Sequence, residues 1–156
     1  MVAAPVGFQC RECVAEGAAA TQPTSGPIPG RVAAISRPYV TYVLVGVCVI
    51  AFLLSLSAGI ESAVGGYGMR PVYIAVDGQW YRLLTSVFMH WSILHIGFNM
   101  LVLIMLGPTL ETVLGHFRFT VLYILAGLGG AVASYCFSPL ATASVGASGA
   151  IFGLMG

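Results

Sequence analysis

Three polar residues in an otherwise apolar sequence, His95, Asn99 and Ser148, are of types that could carry out chemistry. His95 and Asn99 are four positions apart, so on a helix their side chains lie one above the other on the same face. Polar side chains at membrane depth either hold helices together or form a functional site. For a histidine and an asparagine on one face, with a serine elsewhere in the chain, we favour the functional interpretation.

Ser148 lies in a run of small residues, Gly146-Ala147-Ser148-Gly149, at the predicted first turn of a helix. Backbone N–H groups at a helix N-terminus are unpaired and carry partial positive charge, which would stabilise a developing oxyanion. The alternative is an ordinary first-turn or N-cap serine. Gly149 and Gly153 predict close packing of another helix at this point, although the chain offers no obvious partner.

The elements that must position these residues are predicted to be membrane-spanning helices. Of the 156 residues, 58% are hydrophobic and 7% are charged, with a mean hydropathy of +0.96, whereas about a quarter of an average soluble domain is charged. The three longest stretches without Asp, Glu, Lys or Arg are 38–60, 83–110 and 119–156. Each exceeds the roughly 20 residues that cross a bilayer. A net charge of +1 without basic clusters excludes the electrostatic pattern of a nucleic-acid-binding protein.

The predicted fold class is therefore an all-α membrane protein with three full spans and the start of a fourth. The predicted spans cover about 38–58, 94–106 and 119–137. Gly107-Pro108 is expected to end the second span, and a short turn containing Glu111, His116 and Arg118 is expected to follow. Residues 59–88 predict a long external connection that lies partly in the membrane interface, where Trp and Tyr are favoured.

The charges near the first span predict the orientation. Arg31 and Arg37 precede that span, so the positive-inside rule places the N-terminus in the cytoplasm. The final helix has about nine residues and covers about 13 Å, less than half of the bilayer core. Because carbonyl groups left without partners in lipid are costly, we expect the chain to be a truncated piece of a longer protein.

Four short motifs occur in order between residues 80 and 149. They are Trp80-Tyr81-Arg82, then His90-x4-His95-x3-Asn99, then Gly107-Pro108-Thr109-Leu110-Glu111 with Gly115 and Arg118-Phe119, and finally Gly146-Ala147-Ser148-Gly149. Together they resemble the rhomboid family of intramembrane serine proteases over about residues 38–156. A lone Gly-x-Ser-Gly would be weak, but the combination is specific.

The resemblance implies a rhomboid-type helical bundle and a serine endopeptidase that cleaves transmembrane protein substrates within the lipid bilayer. Ser148 would be the nucleophile, and its own backbone N–H together with the His95 and Asn99 side chains would form the oxyanion hole. Gly146 and Gly149 complete the nucleophile motif. The residues with structural or supporting roles would be Trp80, Arg82, His90 and Glu111. The expected location is multi-pass in a bacterial cytoplasmic membrane.

The resemblance also implies a base that this sequence lacks. In the family a histidine on the sixth helix forms a dyad with the serine. His116 is expected on the cytoplasmic side, and His95 already has the oxyanion role. A serine hydroxyl without an adjacent base is a poor nucleophile, so we expect this chain alone to be inactive.

Two further functions remain open. One is a rhomboid-like pseudoenzyme that binds transmembrane helices, which would make Ser148 a relic. The other is a transporter or channel whose polar residues line a pathway. The second is less favoured because it gives no reason for Gly-x-Ser-Gly at a helix start.

Residues 1–37 predict a cytoplasmic tail and linker with one motif, Cys10-x2-Cys13, which is half of a four-ligand zinc site. Cys48 and Cys136 lie in predicted spans and cannot complete it. The motif looks like the end of a zinc module found ahead of some bacterial rhomboids. Two free thiols are the favoured interpretation, so we expect no cofactor or metal unless a longer chain supplies the missing ligands.

Overall fold

The computed structural model describes residues 37–156 and, near the N-terminus, residues 2, 3, 8 and 9. Strand β1 (Val2–Ala3) pairs antiparallel with strand β2 (Phe8–Gln9). The predictions made for Cys10, Cys13 and the linker lie outside the described residues.

Helices dominate the part of the chain from residue 37 onward. In order they are α1 (Tyr39–Ala58), α2 (Ile60–Tyr67), α3 (Pro71–Asp77), α4 (Arg82–Thr85), α5 (Ile93–Leu114), α6 (His116–Phe137) and α7 (Ser148–Met155), with a 3-10 turn (Ser86–Phe88) before α5. Helices α1, α5 and α6 are long and apolar enough to cross a membrane, and only 22–28% of their most apolar stretches is buried. The remaining surface suits lipid, which confirms the predicted all-α membrane fold.

The second span is longer than predicted, because α5 does not end at Gly107-Pro108 but continues through Pro108. Proline removes one helical N–H donor, yet the last turns of α5 are held by contacts with α1. A Cβ at Gly107 would lie 2.6 Å from Thr41 Cγ2, so the two helices touch there. The buried Glu111 carboxylate accepts hydrogen bonds from the N–H groups of Val40 and Thr41 at 2.9 and 2.8 Å. Gly107 thus marks a helix contact, and the predicted end of the span was wrong.

The predicted turn after the second span is reduced to a single residue, Gly115. Its φ of +80° is a conformation that glycine adopts at little energetic cost. Glu111 and His116, which were expected in the turn, are helical, and His116 Nδ1 is hydrogen-bonded to the Glu111 carboxylate. Helix α6 therefore begins three residues earlier than predicted.

The connection between the first two spans folds around a buried arginine. Arg82 is 4% exposed, and its Nη1 donates to the carbonyls of Gly65 and Gly68 at 2.9 and 2.8 Å. Its Nε donates to Gln79 Oε1 at 2.6 Å. Because one guanidinium satisfies several acceptors from separate segments, Arg82 sets the shape of this connection. By contrast, Trp80, the first residue of the same Trp80-Tyr81-Arg82 motif, is 60% exposed.

Helix α7 packs closely on α6 through small residues. A Cβ at Gly130 would lie 2.9 Å from Gly149 Cα, and a Cβ at Gly153 would lie 2.3 Å from Ala126 Cβ. The close packing predicted for Gly149 and Gly153 is confirmed. The expectation that the chain offers no partner was wrong, because the glycines and alanines of the third span supply it.

Gly130→Ala should lower the free energy of unfolding by about 1–3 kcal/mol, the usual range for overpacking a tight contact. The new Cβ would meet the backbone of Gly149, which cannot move aside as a side-chain tip can. The matched control is Gly129→Ala, where an added Cβ meets no atom of the described residues within 4 Å. Unfolding in detergent measures both variants, and equal losses would contradict this account of the contact.

Candidate functional site

Ser148 is the first residue of α7 and is partly exposed. Two residues earlier the backbone turns at Gly146, whose φ of +126° strongly favours glycine. The Gly146 N–H donates to the Ser86 carbonyl at 2.9 Å, which ties this turn to the segment before α5. The serine hydroxyl therefore lies beside the N–H groups of a helix start, the position expected from the sequence.

The side chains of His95 and Asn99 lie directly against the turn before Ser148. A Cβ placed on Gly146 would be 2.7 Å from His95 Cε1 and Nε2, and 3.7 Å from Asn99 Nδ2. Both side chains come from one face of α5, and Asn99 Nδ2 also donates to the His95 carbonyl at 3.0 Å. The structure thus places both side chains against Gly146, the residue two positions before the serine.

His90 lies just before α5 and contacts the His95 ring directly. Its ring is buried and meets the His95 ring edge-on, with centroids 5.1 Å apart. Its Nδ1 lies 3.2 Å from the Phe88 carbonyl, so Nδ1 carries the proton of a neutral ring. Burial, and to a smaller extent the neighbouring His95, lower the pKa of His90 to about 4. His90 is therefore neutral near neutral pH and packs against the His95 ring.

A cavity of about 140 Å³ adjoins Ser148. Its lining includes Ser86, Ser134, Ser144 and glycine backbone, and the Ser144 hydroxyl donates to the Ser134 hydroxyl at 3.2 Å. The cavity is polar and large enough to hold water. Sequence reasoning missed Ser134 and Ser144, because a serine near a span end and one in a loop have no distinguishing spacing.

The loop leading to Ser148 is tied to the first external connection. Met69 and Ser144 exchange two backbone hydrogen bonds of 3.1 and 2.8 Å, and the Val72 N–H donates to the Leu140 carbonyl at 3.1 Å. Met69 is fully buried. The connection held by Arg82 therefore also holds the loop that carries the nucleophile motif, a contact that no sequence pattern indicated.

His116 lies far from the serine. Positions 95 and 111 are about 24 Å apart along α5 at 1.5 Å per residue, and His116 is bonded to Glu111 at the distant end. Within residues 37–156, no hydrogen bond joins the Ser148 hydroxyl to a histidine. Over the same residues, no three His, Cys, Asp or Glu side chains are grouped so as to hold a metal ion.

Comparisons with known proteins agree with the motifs. The family model described as Rhomboid domain matches residues 77–156. "Rhomboid protease GluP" of Bacillus subtilis is 37% identical over 123 residues, which cover 77% of this chain and 24% of that protein. "Putative rhomboid protease YdcA" of the same organism is 36% identical over 123 residues, covering 76% and 60%. "RHOMBOID-like protein 4" of Arabidopsis thaliana is 36% identical over 104 residues, covering 67% and 26%. The chain thus spans less than two thirds of the length of each of these relatives.

Proposed function

This chain belongs to the rhomboid family of multi-pass membrane proteins, and from that premise we propose that Ser148, His95 and Asn99 are the acyl-transfer site of an intramembrane serine endopeptidase. In a protein that includes the base histidine implied by the family resemblance, that histidine takes the Ser148 hydroxyl proton as the serine oxygen attacks the scissile carbonyl of a substrate. The oxygen that becomes negative then accepts hydrogen bonds from the Ser148 backbone N–H and from the His95 and Asn99 side chains. Donors already held in place stabilise such a charge without reorganising during the reaction. The proton then passes to the leaving amine as the peptide C–N bond breaks, and water hydrolyses the acyl-enzyme.

One observation carries the proposal: the side chains of His95 and Asn99 contact Gly146, two residues before the serine. Two donor side chains converge there on a helix N-terminus that presents a hydroxyl. Helices that only pack together would be more stable with apolar side chains at this place, since burying a polar group at membrane depth costs free energy. The same contact disfavours a transporter or channel, where polar residues line an open path.

The proposed substrates are transmembrane segments of other proteins, presented from the bilayer. The Arg37 side of α1 is proposed to face the cytoplasm, which places Ser148 toward the opposite side of a bacterial cytoplasmic membrane. Arg82, Glu111 and His90 have supporting roles: Arg82 shapes the loop, Glu111 joins α1 to α5, and His90 packs on His95.

The 156-residue polypeptide by itself should not be labelled by a serine-reactive phosphonate. Its three histidines are His90, His95 and His116. None is hydrogen-bonded to the Ser148 hydroxyl, so the serine has no adjacent base. Labelling should appear when the chain is extended by the later helices that the family resemblance implies, since that resemblance places the base histidine on the sixth helix. The measurement is covalent adduct formation followed by mass spectrometry.

Three variants of the extended protein sharpen the result. Ser148→Ala should remove labelling. Asn99→Ala should slow it by about 10²–10³, the usual effect of losing one oxyanion donor. Gly97→Ala, on an open part of α5, should leave it unchanged. Robust labelling of Ser148 in the 156-residue polypeptide would contradict its predicted inactivity. A folded but unlabelled extended protein would favour the pseudoenzyme.

A further inference from the structure

A groove of about 690 Å³ lies between the C-terminal half of α1 and helix α2, and it is called the α1–α2 groove below. Small residues from both helices form its walls: Ala51 and Ala58 from α1, and Ala63 and Gly66 from α2. An added Cβ at Gly66 would meet no atom of the described chain within 4 Å. The groove is therefore open because the residues that face it are small.

Two of the polar groups on the groove wall are paired within the protein. The Ser55 hydroxyl donates to the Ala51 carbonyl at 2.7 Å, within its own helix. The Tyr81 hydroxyl donates to the Gly66 carbonyl at 3.3 Å. No charged side chain of residues 37–156 lines the groove. The remaining polar side chains on the wall are the Ser62 and Tyr67 hydroxyls, so the wall is mainly apolar and offers an anion no positive charge.

The groove is continuous with the lipid-facing surface of α1. Leu54 forms part of its wall and is 63% exposed, and Leu53 and Ile50 continue the same exposed apolar surface along a helix of mean hydropathy 2.4. On the opposite wall Tyr67 and Tyr81 are half exposed. Tyrosine rings favour the depth of the lipid headgroups, so the groove runs from the interface into the hydrocarbon region.

We propose that the acyl chain of a membrane phospholipid occupies the α1–α2 groove. An unfilled groove forfeits dispersion contacts along its whole wall, and water there would lie against a mainly apolar wall. A flexible acyl chain is abundant at this depth and can follow a wall made of alanine, glycine and leucine. The bound chain fills the space between α2 and α1 and so stabilises the external connection. This site is separate from Ser148 and does not depend on catalysis.

The test is native mass spectrometry of the 156-residue protein, released from mild detergent after palmitoyl-oleoyl phosphatidylethanolamine or phosphatidylglycerol is added back. The wild type should retain one phospholipid of either headgroup, since the acyl chain is what the groove holds. Ala63→Leu should weaken retention about tenfold, because a tenfold change corresponds to one or two methylene groups' worth of contact. Ala51→Leu fills the groove from the α1 wall and should weaken lipid retention to a similar extent. It serves as the second test in case Ala63→Leu disturbs the fold of α2.

The matched control is Ala133→Leu, which adds the same side chain to an exposed position on α6 outside the groove. It should retain lipid as the wild type does. The proposal is overturned if the wild type retains no lipid, if both groove-filling variants retain it unchanged, or if retention follows the headgroup alone. The proposal would also be overturned if the wild type formed a dimer without bound lipid and Ala63→Leu abolished that dimer, because a second copy of the chain would then occupy the groove.

Discussion

Replacing Glu111 with alanine is expected to lower the free energy of unfolding by about 3–5 kcal/mol. The Glu111 side chain is fully buried, and its carboxylate accepts hydrogen bonds from the Val40 and Thr41 N–H groups and from the Thr41 hydroxyl, the last at 2.7 Å. Those N–H groups belong to the first turn of α1 and have no acceptor within their own helix. A carboxylate at a helix N-terminus also opposes the partial positive charge there. Alanine would leave buried donors unpaired and His116 without its partner.

The control for this prediction is Glu61→Ala. Glu61 is also in the first turn of a helix but is exposed, so its loss should cost no more than about 1 kcal/mol. Urea or thermal unfolding in the same detergent measures both variants. If Glu111→Ala were no more destabilising than Glu61→Ala, Glu111 would not be the residue that joins α1 to α5.

Gly146→Ala is expected to lower the free energy of unfolding by about 2–6 kcal/mol and to displace His95. The φ of +126° costs a non-glycine residue about 1–3 kcal/mol. The new methyl group would also lie 2.7 Å from the His95 ring, and overpacking adds a cost of similar size. In the extended protein described above, the same change should abolish labelling of Ser148, because the two proposed oxyanion donors would no longer face the turn.

Gly97→Ala tests whether the effect at Gly146 is specific. Gly97 lies on α5 between His95 and Asn99, and an added Cβ there meets no described atom within 4 Å. Alanine at this position should be neutral or slightly stabilising, since it is the better helix former. Thermal unfolding and the NMR signals of the histidine rings distinguish the two variants. Unchanged His95 signals in Gly146→Ala would show that the turn does not contact this ring.

The contact at Gly146 explains why the proposed nucleophile motif begins with glycine. The residue must turn the backbone into α7, and it must leave room for two polar side chains from another helix. Only a residue without a side chain meets both conditions. Gly149 has a different role: without a side chain, it allows α7 to approach Gly130 of α6 closely.

Two errors in the sequence predictions share one cause. A Gly-Pro pair normally ends a helix, but α5 continues through Pro108, and contacts with α1 through Thr41 and Glu111 accompany this continuation. The partner of Gly149 and Gly153 was missed because the small residues of α6 were taken only as part of a span. Both outcomes depend on a second helix that local pattern does not specify.

The sequence by itself determined the membrane class, the number of long spans, the shared face of His95 and Asn99 and the family. These follow from hydropathy and periodicity, which are local properties, and from motifs that can be read in order along the chain. The tertiary structure decided which residues meet. It placed His95 and Asn99 against Gly146, Glu111 against the start of α1, and Met69 against the loop before Ser148. These pairs are separated by about 45 to 75 residues in the chain, so only the tertiary fold brings them together.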